Sequence, residues 1–219
     1  MARECQNCGF EIERVIVSQS FMDSPAYAPF SAWNAVCVSD DVFRTLSDEK
    51  TPQGILCRVK IPAYVLDKPT DSCLLLDGVA DPGNVGAIIR TANAAGYRDV
   101  YLTDDCADPY APKAVRASMS GVFFTKLYRG TREEILSTLQ GTPIVVADMD
   151  GDNAFTAPLC PPFALVIGNE ANGVSDAVRK VATHTVKIPM HASQESLNAA
   201  VSAGILMYVL KKDVFSAIN

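Results

Sequence analysis

The chain reads as an α/β protein: a parallel sheet with helices on both faces, preceded by a small α/β domain. Three observations predict this. From Ser72 onward, short apolar runs alternate with helical patterns, the order that builds a parallel sheet with right-handed crossovers. Residues 1–61 have a different texture, with three short strands and a helix. Residues 62–71 (PAYVLDKPTD) carry two prolines and read as a linker. A length of 219 residues allows one large domain, here residues 72–219, with a small one attached.

In the first part, Ile12–Val17 (IERVIV), Ala35–Val38 and Ile55–Ile61 are strands. The polar, proline-containing stretch SQSFMDSPAYAPFSAWN connects the first two. Asp40–Leu46 is a short helix with Val42, Phe43 and Leu46 as its apolar residues. Nothing before Ile12 supplies a further strand or a full helix. In the second part, strands are expected at Cys73–Leu76, Val100–Leu102, Phe123–Leu127, Pro143–Ala147, Phe163–Ile167 and Thr185–Ile188. Helices are expected at Gly83–Ala95, near Pro112–Ser118, from Thr131, from Ser175 to Lys180, and from Ser196 to Leu210. Thr131 with Glu134 has the spacing of a capping box.

Composition narrows the function. Hydrophobic content of 48% with 20% charged residues is that of an ordinary globular protein. No apolar run approaches the roughly 20 residues that cross a bilayer, and the start MARECQNCGFEIER lacks a signal-peptide pattern. Seven scattered cysteines suit a reducing compartment, so a cytoplasmic protein without membrane association is expected. Cys5 and Cys8 form one CxxC, but a zinc ribbon needs a second pair, so no metal is expected. The net charge of −6 does not advertise a nucleic-acid binder, and any such activity must use a local basic patch.

Three segments could carry chemistry. In LLLDGVADPGNVGAIIRTANAAG a strand leads through an acidic turn into a helix. Val85, Ile88, Ile89 and Ala92 form its buried stripe, Arg90 points away, and Asn84 sits at the N-terminus among free N–H groups. In LVIGNEANGVS a strand ends in Gly168-Asn169-Glu170; ligands of open parallel sheets sit beyond such ends. Gly and Asn are ordinary turn residues, whereas the glutamate is harder to explain as turn chemistry. In VKIPMHASQESLNAAVSAGILMYVL the last helix is expected to bury Leu197, Val201, Ile205, Tyr208 and Val209. Its opposite side (Ala199, Ser202, Ala203) is small enough for another helix, in the same subunit or a partner, to approach closely. Ser196 could be a plain N-cap. No dinucleotide fingerprint, Walker lysine or nucleophile elbow is present. His184 reads as structural and His191 as solvated.

Taken together and in this order, DPGNVGAIIRTANAAG, VIGNEANGVS and VKIPMHASQESLNAAVSAGIL resemble the three motifs of the SpoU/TrmH-type RNA ribose 2′-O-methyltransferases of the SPOUT class. The resemblance covers residues from about 72 to 210. LSDEKTPQGILCRV also looks like the junction to that family's small RNA-binding domain, which is usually longer by a strand and a helix, so a truncated domain is expected here. The resemblance implies a C-terminal trefoil knot, a rare exception to the rule against threading. It implies S-adenosyl-L-methionine as cofactor, held by the loops Ala147–Asp150, Ile167–Glu170 and Ile188–Leu197. The cofactor-binding residues it implies are Ala147, Gly168, Asn169, Ile188, Met190 and Leu197, with Met190 beside the adenine. It implies a homodimer through the knot region, which the small side of the last helix would suit.

By the same resemblance Arg90 is the catalytic arginine, and Asn84, Glu170, Ser196 and Asn198 are the other polar active-site positions. Arg90 could hold a phosphate beside the target ribose or assist deprotonation of the hydroxyl. The first is the physical starting point, because a guanidinium is almost always protonated. Glu170 could instead be structural, pairing with Arg90 or with backbone N–H groups. Lys113 and Arg116 match a stretch that faces RNA in this family, against the alternative of a solvated helix face. Ser120 departs from the family's small-residue pattern. Ribosomal RNA is the expected substrate and transfer RNA the alternative. A non-catalytic cofactor-binding RNA module, or an enzyme for a small metabolite, are the competing classes.

Overall fold

A computed structural model describes residues 1–193 and 196–212. The chain forms two compact units, Met1–Pro62 and Ala63–Asn219. The first contains α1 (Ala2–Asn7), β1 (Ile12–Ser18), α2 (Gln19–Met22), a 3₁₀ turn (Pro25–Phe30), β2 (Ala35–Val38), α3 (Asp40–Leu46) and β3 (Ile55–Val59). Its sheet has the order β2-β1-β3, with β2 parallel and β3 antiparallel to β1. The residues before Ile12 do form a helix, α1, although a short one. The stretch expected to be a plain connection folds into α2 and the 3₁₀ turn. Ser18 caps α2 by accepting from the N–H of Phe21, and the Phe21, Phe30 and Trp33 rings pack in series. In α3 only Phe43 is buried, while Val42 and Leu46 are about half exposed. A helix of two turns on a small sheet offers one inward position.

The second unit is built on a six-stranded, all-parallel sheet of order β6-β5-β4-β8-β7-β9. Its elements are β4 (Cys73–Asp77), α4 (Pro82–Ala94), β5 (Asp99–Thr103), α5 (Pro112–Ser118), β6 (Lys126–Gly130) and α6 (Arg132–Thr138). Then follow β7 (Ile144–Asn153), β8 (Ala164–Gly168), α7 (Asp176–Val181), β9 (His184–Lys187) and α8 (Ala199–Leu210). The chain moves outward through β4, β5 and β6, then crosses to the other side of β4. There β8 inserts between β4 and β7. The sheet therefore reverses direction beside β4, which is where an open parallel sheet leaves a crevice at its carboxyl ends.

Side chains alternate between faces with period two. Leu74, Leu76, Val100, Leu102, Val145, Leu165 and Ile167 face the layer of α4 and α8. Cys73, Leu75, Tyr101, Val146, Ala164 and Val166 face the layer of α6 and α7. The expected stripe of α4 is buried completely: Val85, Ile88, Ile89 and Ala92 are each 0% exposed. Burial of each large member contributes roughly 1.5–3 kcal/mol. Asp81 begins the helix by accepting from the N–H of Asn84 at 2.9 Å, and Thr131 and Glu134 close the capping box.

Four expectations need correction. Phe123–Leu127 is not one strand: Gly121–Phe123 is a 3₁₀ turn, and β6 begins at Lys126. The segment after Ala147 is not an irregular loop, because β7 runs on to Asn153 and re-pairs with β9 after a register shift. Residues 63–71 are more than a linker. Tyr64 and Leu66 pack on the α6 and α7 side of the sheet, and the hydroxyl of Tyr101 donates to the carbonyl of Asp67. Finally, α8 is rotated from its expected orientation. Ala203, Leu206, Met207 and Leu210 are its buried residues, whereas Val201 and Tyr208 are 51% and 43% exposed. Of the small side, Ala203 is buried within the same chain, and the adjacent Gly204 lies against Thr91 of α4.

α4 and α5 cross closely at Gly86. A β-carbon there would lie 2.3 Å from the backbone oxygen of Ala114, an atom that cannot turn aside. Gly86→Ala should therefore cost roughly 1–3 kcal/mol, the range for overpacking. Gly204 in α8 would place its β-carbon 3.5 Å from a methyl of Thr91, an ordinary contact. Gly204→Ala should be neutral or stabilising by up to about 1 kcal/mol. Chemical denaturation of both variants checks the contrast.

Candidate active site

One chain of hydrogen bonds joins the ends of three elements at the carboxyl edge of the sheet. Asn198 caps α8, its Oδ1 accepting from the N–H groups of Ala200 and Val201 at 2.9 and 3.3 Å. Its Nδ2 donates to Oδ1 of Asn84 at 2.9 Å. Asn84, in the first turn of α4, donates from Nδ2 to Oε1 of Glu170 at 2.8 Å. Glu170, in the turn after β8, also accepts from the N–H of Ala80 at 3.1 Å and of Asp81 at 3.3 Å. Partial burial raises the pKa of Glu170, but the bonds from Asn84, Ala80 and Asp81 outweigh it, and the net shift is downward. The carboxylate is thus held ionised, with both oxygens engaged.

The turn carrying Glu170 is closed by its own backbone. Asn169 and Gly173 exchange N–H···O bonds of 2.9 Å in both directions. A β-carbon at Gly168 would lie 2.3 Å from the carbonyl carbon of Gly173, so only glycine permits this fold-back. The side chain of Asn169 is consumed by the turn. Its Oδ1 accepts from the N–H groups of Ala171 and Asn172, and its Nδ2 donates to the carbonyl of Gly78 at 2.8 Å. Beneath it lies Asp77 at the end of β4, 1% exposed. Asp77 accepts from Nε of Arg132 at 2.6 Å and from the N–H of Ser175 at 2.7 Å. Arg132 also pairs with Asp105.

Beside this network, beyond the ends of β8 and β9 and against the middle of β7, lies a cleft of about 710 Å³. Ile167, Val186, Ile188, Met190, Leu197 and Leu206 give it an apolar lining; Asp148, Asn169, Glu170, Ser196 and Asn198 supply polar groups. Its size and mixed lining are those of a small-molecule site.

Every residue expected at a cofactor is on this cleft: Ala147, Gly168, Asn169, Ile188, Met190 and Leu197. Part of the expected loop Ile188–Leu197, residues 194–195, lies outside the described residues. Glu170, Ser196 and Asn198 also line the cleft, with Asn84 bonded at its rim. Ser196 is not the N-cap of α8; Asn198 is. Glu170 bonds to Asn84 and to backbone N–H groups rather than to Arg90.

Arg90 does not line the cleft. It is exposed on α4, with Gly121 packed against its backbone, and among the described residues its side chain makes no hydrogen bond or ion pair. Lys113, on α5, is not a merely solvated lysine, because its Nζ pairs with Asp81 at 2.7 Å. Arg116 is on the same helix and is partnered. His191 lines the cleft and bonds Ser193. Sequence reasoning missed Asp77 and Arg132, which lie 55 residues apart, with Ser175 98 residues from Asp77, so that no local spacing signals the contact.

Residues 71–208 match the model of the SpoU rRNA Methylase family. The chain belongs to that family. Among SpoU relatives, the 23S rRNA (guanosine(2553)-2′-O)-methyltransferase RlmP of Bacillus subtilis (strain 168) is 34% identical over 177 residues, covering 80% of this chain and 71% of the relative. The 23S rRNA (uridine(2479)-2′-O)-methyltransferase of Streptomyces viridochromogenes is also 34% identical, over 79% of this chain and 65% of its own length. The crystal structure of the SpoU methyltransferase AviRb from Streptomyces viridochromogenes, in complex with AdoMet, superposes with a TM-score of 0.83 at 27% identity. It covers 98% of this chain and 88% of that one. No helix among the described residues of this SpoU protein is long and apolar enough to cross a membrane.

The lowered pKa of Glu170 fixes a sign. A carboxyl depressed in the folded state adds stability above its unfolded value, and that stability is lost as pH falls through the folded one. In melting curves, wild type should therefore lose stability more steeply than Glu170→Gln once pH falls below about 4.3, the ordinary glutamate value. Parallel curves would show that the network does not depend on the charge.

Proposed function

We propose that this protein transfers the methyl group of S-adenosyl-L-methionine to a ribose 2′-hydroxyl of RNA, with ribosomal RNA as the substrate. One observation carries the reading: the cleft and the Asn84–Glu170–Asn198 network adjoin at the carboxyl edge of the sheet. The Bacillus subtilis and Streptomyces viridochromogenes relatives are both named 23S rRNA 2′-O-methyltransferases and are 34% identical to this chain, which favours ribosomal over transfer RNA.

The cleft fits the cofactor in volume and chemistry. Ala147, Gly168, Ile188 and Leu197 would hold it, Asn169 would fix the turn beneath it, and Met190 would lie beside the adenine. When bound, S-adenosyl-L-methionine supplies a methyl group already activated on a sulfonium. The protein's task is then to place the hydroxyl in line and help it lose a proton. Placement alone can supply up to roughly 7–11 kcal/mol in the best cases. Glu170 already accepts three N–H donors. It therefore acts as an anchor that sets the positions of Asn84 and the loop after β4, rather than as a base. Ser196 and Asn198, at the entry to α8, orient the ribose. Arg90 projects from the exposed face of α4, where its guanidinium holds a phosphate beside the target nucleotide. Lys113 and Arg116 extend that basic strip along α5.

The reading has three further parts, each resting on the family. The segment from β7 through α8 is threaded as a trefoil knot around the cleft. The first unit, Met1–Pro62, is the RNA-binding domain. The active species is a homodimer, for which the exposed Val201 and Tyr208 of α8 offer an apolar surface.

The test is methyl-labelled S-adenosyl-L-methionine incubated with unmodified ribosomal and transfer RNA. Label should appear in a 2′-O-methylated nucleotide of ribosomal RNA. Arg90→Ala should lower the rate by about a hundredfold or more, with cofactor affinity by calorimetry unchanged. Label in transfer RNA would change the substrate. Cofactor binding without transfer to either RNA would point to a non-catalytic module, and absence of cofactor binding would overturn the reading.

A further inference from the structure

One wall of the cleft is not held by the sheet. β7 pairs with β8 only through Ile144–Val146. Its register with β9 breaks between Ala147 and Asp152. Asp148, which lines the cleft, lies in this gap, where neither ladder supplies regular backbone bonds. A wall without a ladder must be fixed by side chains or left to move.

Arg179 of α7 fills that role. Its Nη1 pairs with Oδ2 of Asp148 at 2.5 Å, and Asp148 is only 14% exposed. Its Nε donates to the carbonyl of Val174 at 3.0 Å. Oδ1 of Asp148 accepts from the N–H of Asp150 at 3.3 Å, within the irregular stretch of β7. The guanidinium also lies against Gly173: a β-carbon there would be 3.5 Å from Nη2. One planar fork thus spans the irregular stretch inside β7 and the turn after β8, both of which face the cleft. A lysine could not do this, since an ammonium on a flexible stem lacks the fixed two-pronged geometry.

We infer that Arg179 is a positioning residue for the cofactor: by clamping Asp148 to the Gly173–Val174 turn it sets the width of the cleft. This rests on the reading of the cleft as the S-adenosyl-L-methionine site. The clamp touches neither Asn84 nor Arg90, so it governs cofactor affinity rather than the chemical step.

Calorimetric titration with S-adenosyl-L-methionine and with S-adenosylhomocysteine tests it on the full chain. The variants are Arg179→Ala, Arg179→Lys, Asp148→Asn and the double Arg179→Ala/Asp148→Asn. Arg179→Ala should weaken both ligands about tenfold. It should raise the KM for the cofactor by a similar factor, and leave kcat at saturating cofactor within about twofold. Arg179→Lys should recover less than half of the loss. The double variant should be no weaker than Arg179→Ala alone, because both changes remove the same clamp. Wild-type affinity in Arg179→Ala, additive losses in the double variant, or a fall in kcat with affinity intact would each overturn the inference. If Arg179→Ala does not fold, Asp148→Asn decides: unchanged affinity there overturns it as well. No binding by wild type would instead overturn the cofactor reading, and the inference with it.

Discussion

The side-chain amide of Asn84 is the joint on which the site depends. An amide both donates and accepts, and here one end accepts from Asn198 while the other donates to Glu170. These partners lie 114 and 86 residues away along the chain. A hydroxyl or a carboxylate at this position would reverse or lose one of the two bonds. Through Asn84, the first turn of α4, the cap of α8 and the turn after β8 are fixed relative to one another. Glu170 extends the joint to the backbone of Ala80 and Asp81. With its oxygens filled in this way, it is an organiser of loops and not a free acid or base.

The joint is useful because the layers beneath it are rigid. β4 and β8 are buried on both faces, and α4 cannot shift without separating from α5 at Gly86 or from the 3₁₀ turn at Gly121. Asp77, buried at the end of β4, ties Arg132 and the backbone of Ser175 to the same strand end. The polar network therefore rests on close-packed apolar layers and decides only the loop positions above them. Where the sheet does not support the cleft, at Asp148, an ion pair replaces the ladder. Such a half-exposed pair contributes little to stability, about 0–1 kcal/mol. Its consequence lies in geometry.

Much of this was legible along the chain, and the exceptions share a cause. Local signals were read correctly: the capping box at Thr131, the buried stripe of α4 and the alternation of the strands. The polar residues of the motifs came together as expected at Asn84, Glu170 and Asn198, although the glutamate took backbone and Asn84 as partners instead of Arg90. The failures were of orientation and extent. α8 is apolar almost all round, so its sequence contains no signal for which side faces α4. The close fit of Ala203 and Leu206 to the α4 layer decided it. The run of β7 beyond Ala147 could not be read because its residues are polar and the strand rejoins β9 only at Asp152 and Asn153, after a register shift that no local pattern announces.

The sequence by itself determined the α/β class, the strand and helix periods, the order of the three motifs and hence the family. Each of these depends on spacing within a short window, where propensity and hydrophobic period act. Only the tertiary structure decided which strand lies beside which, and therefore that the turns after β4 and β8 meet the cap of α8. It alone placed Arg132 on Asp77 and Arg179 on Asp148. Those contacts join residues that are distant in sequence, and distance along the chain carries no signal of which charges or amides will meet once the apolar faces are buried.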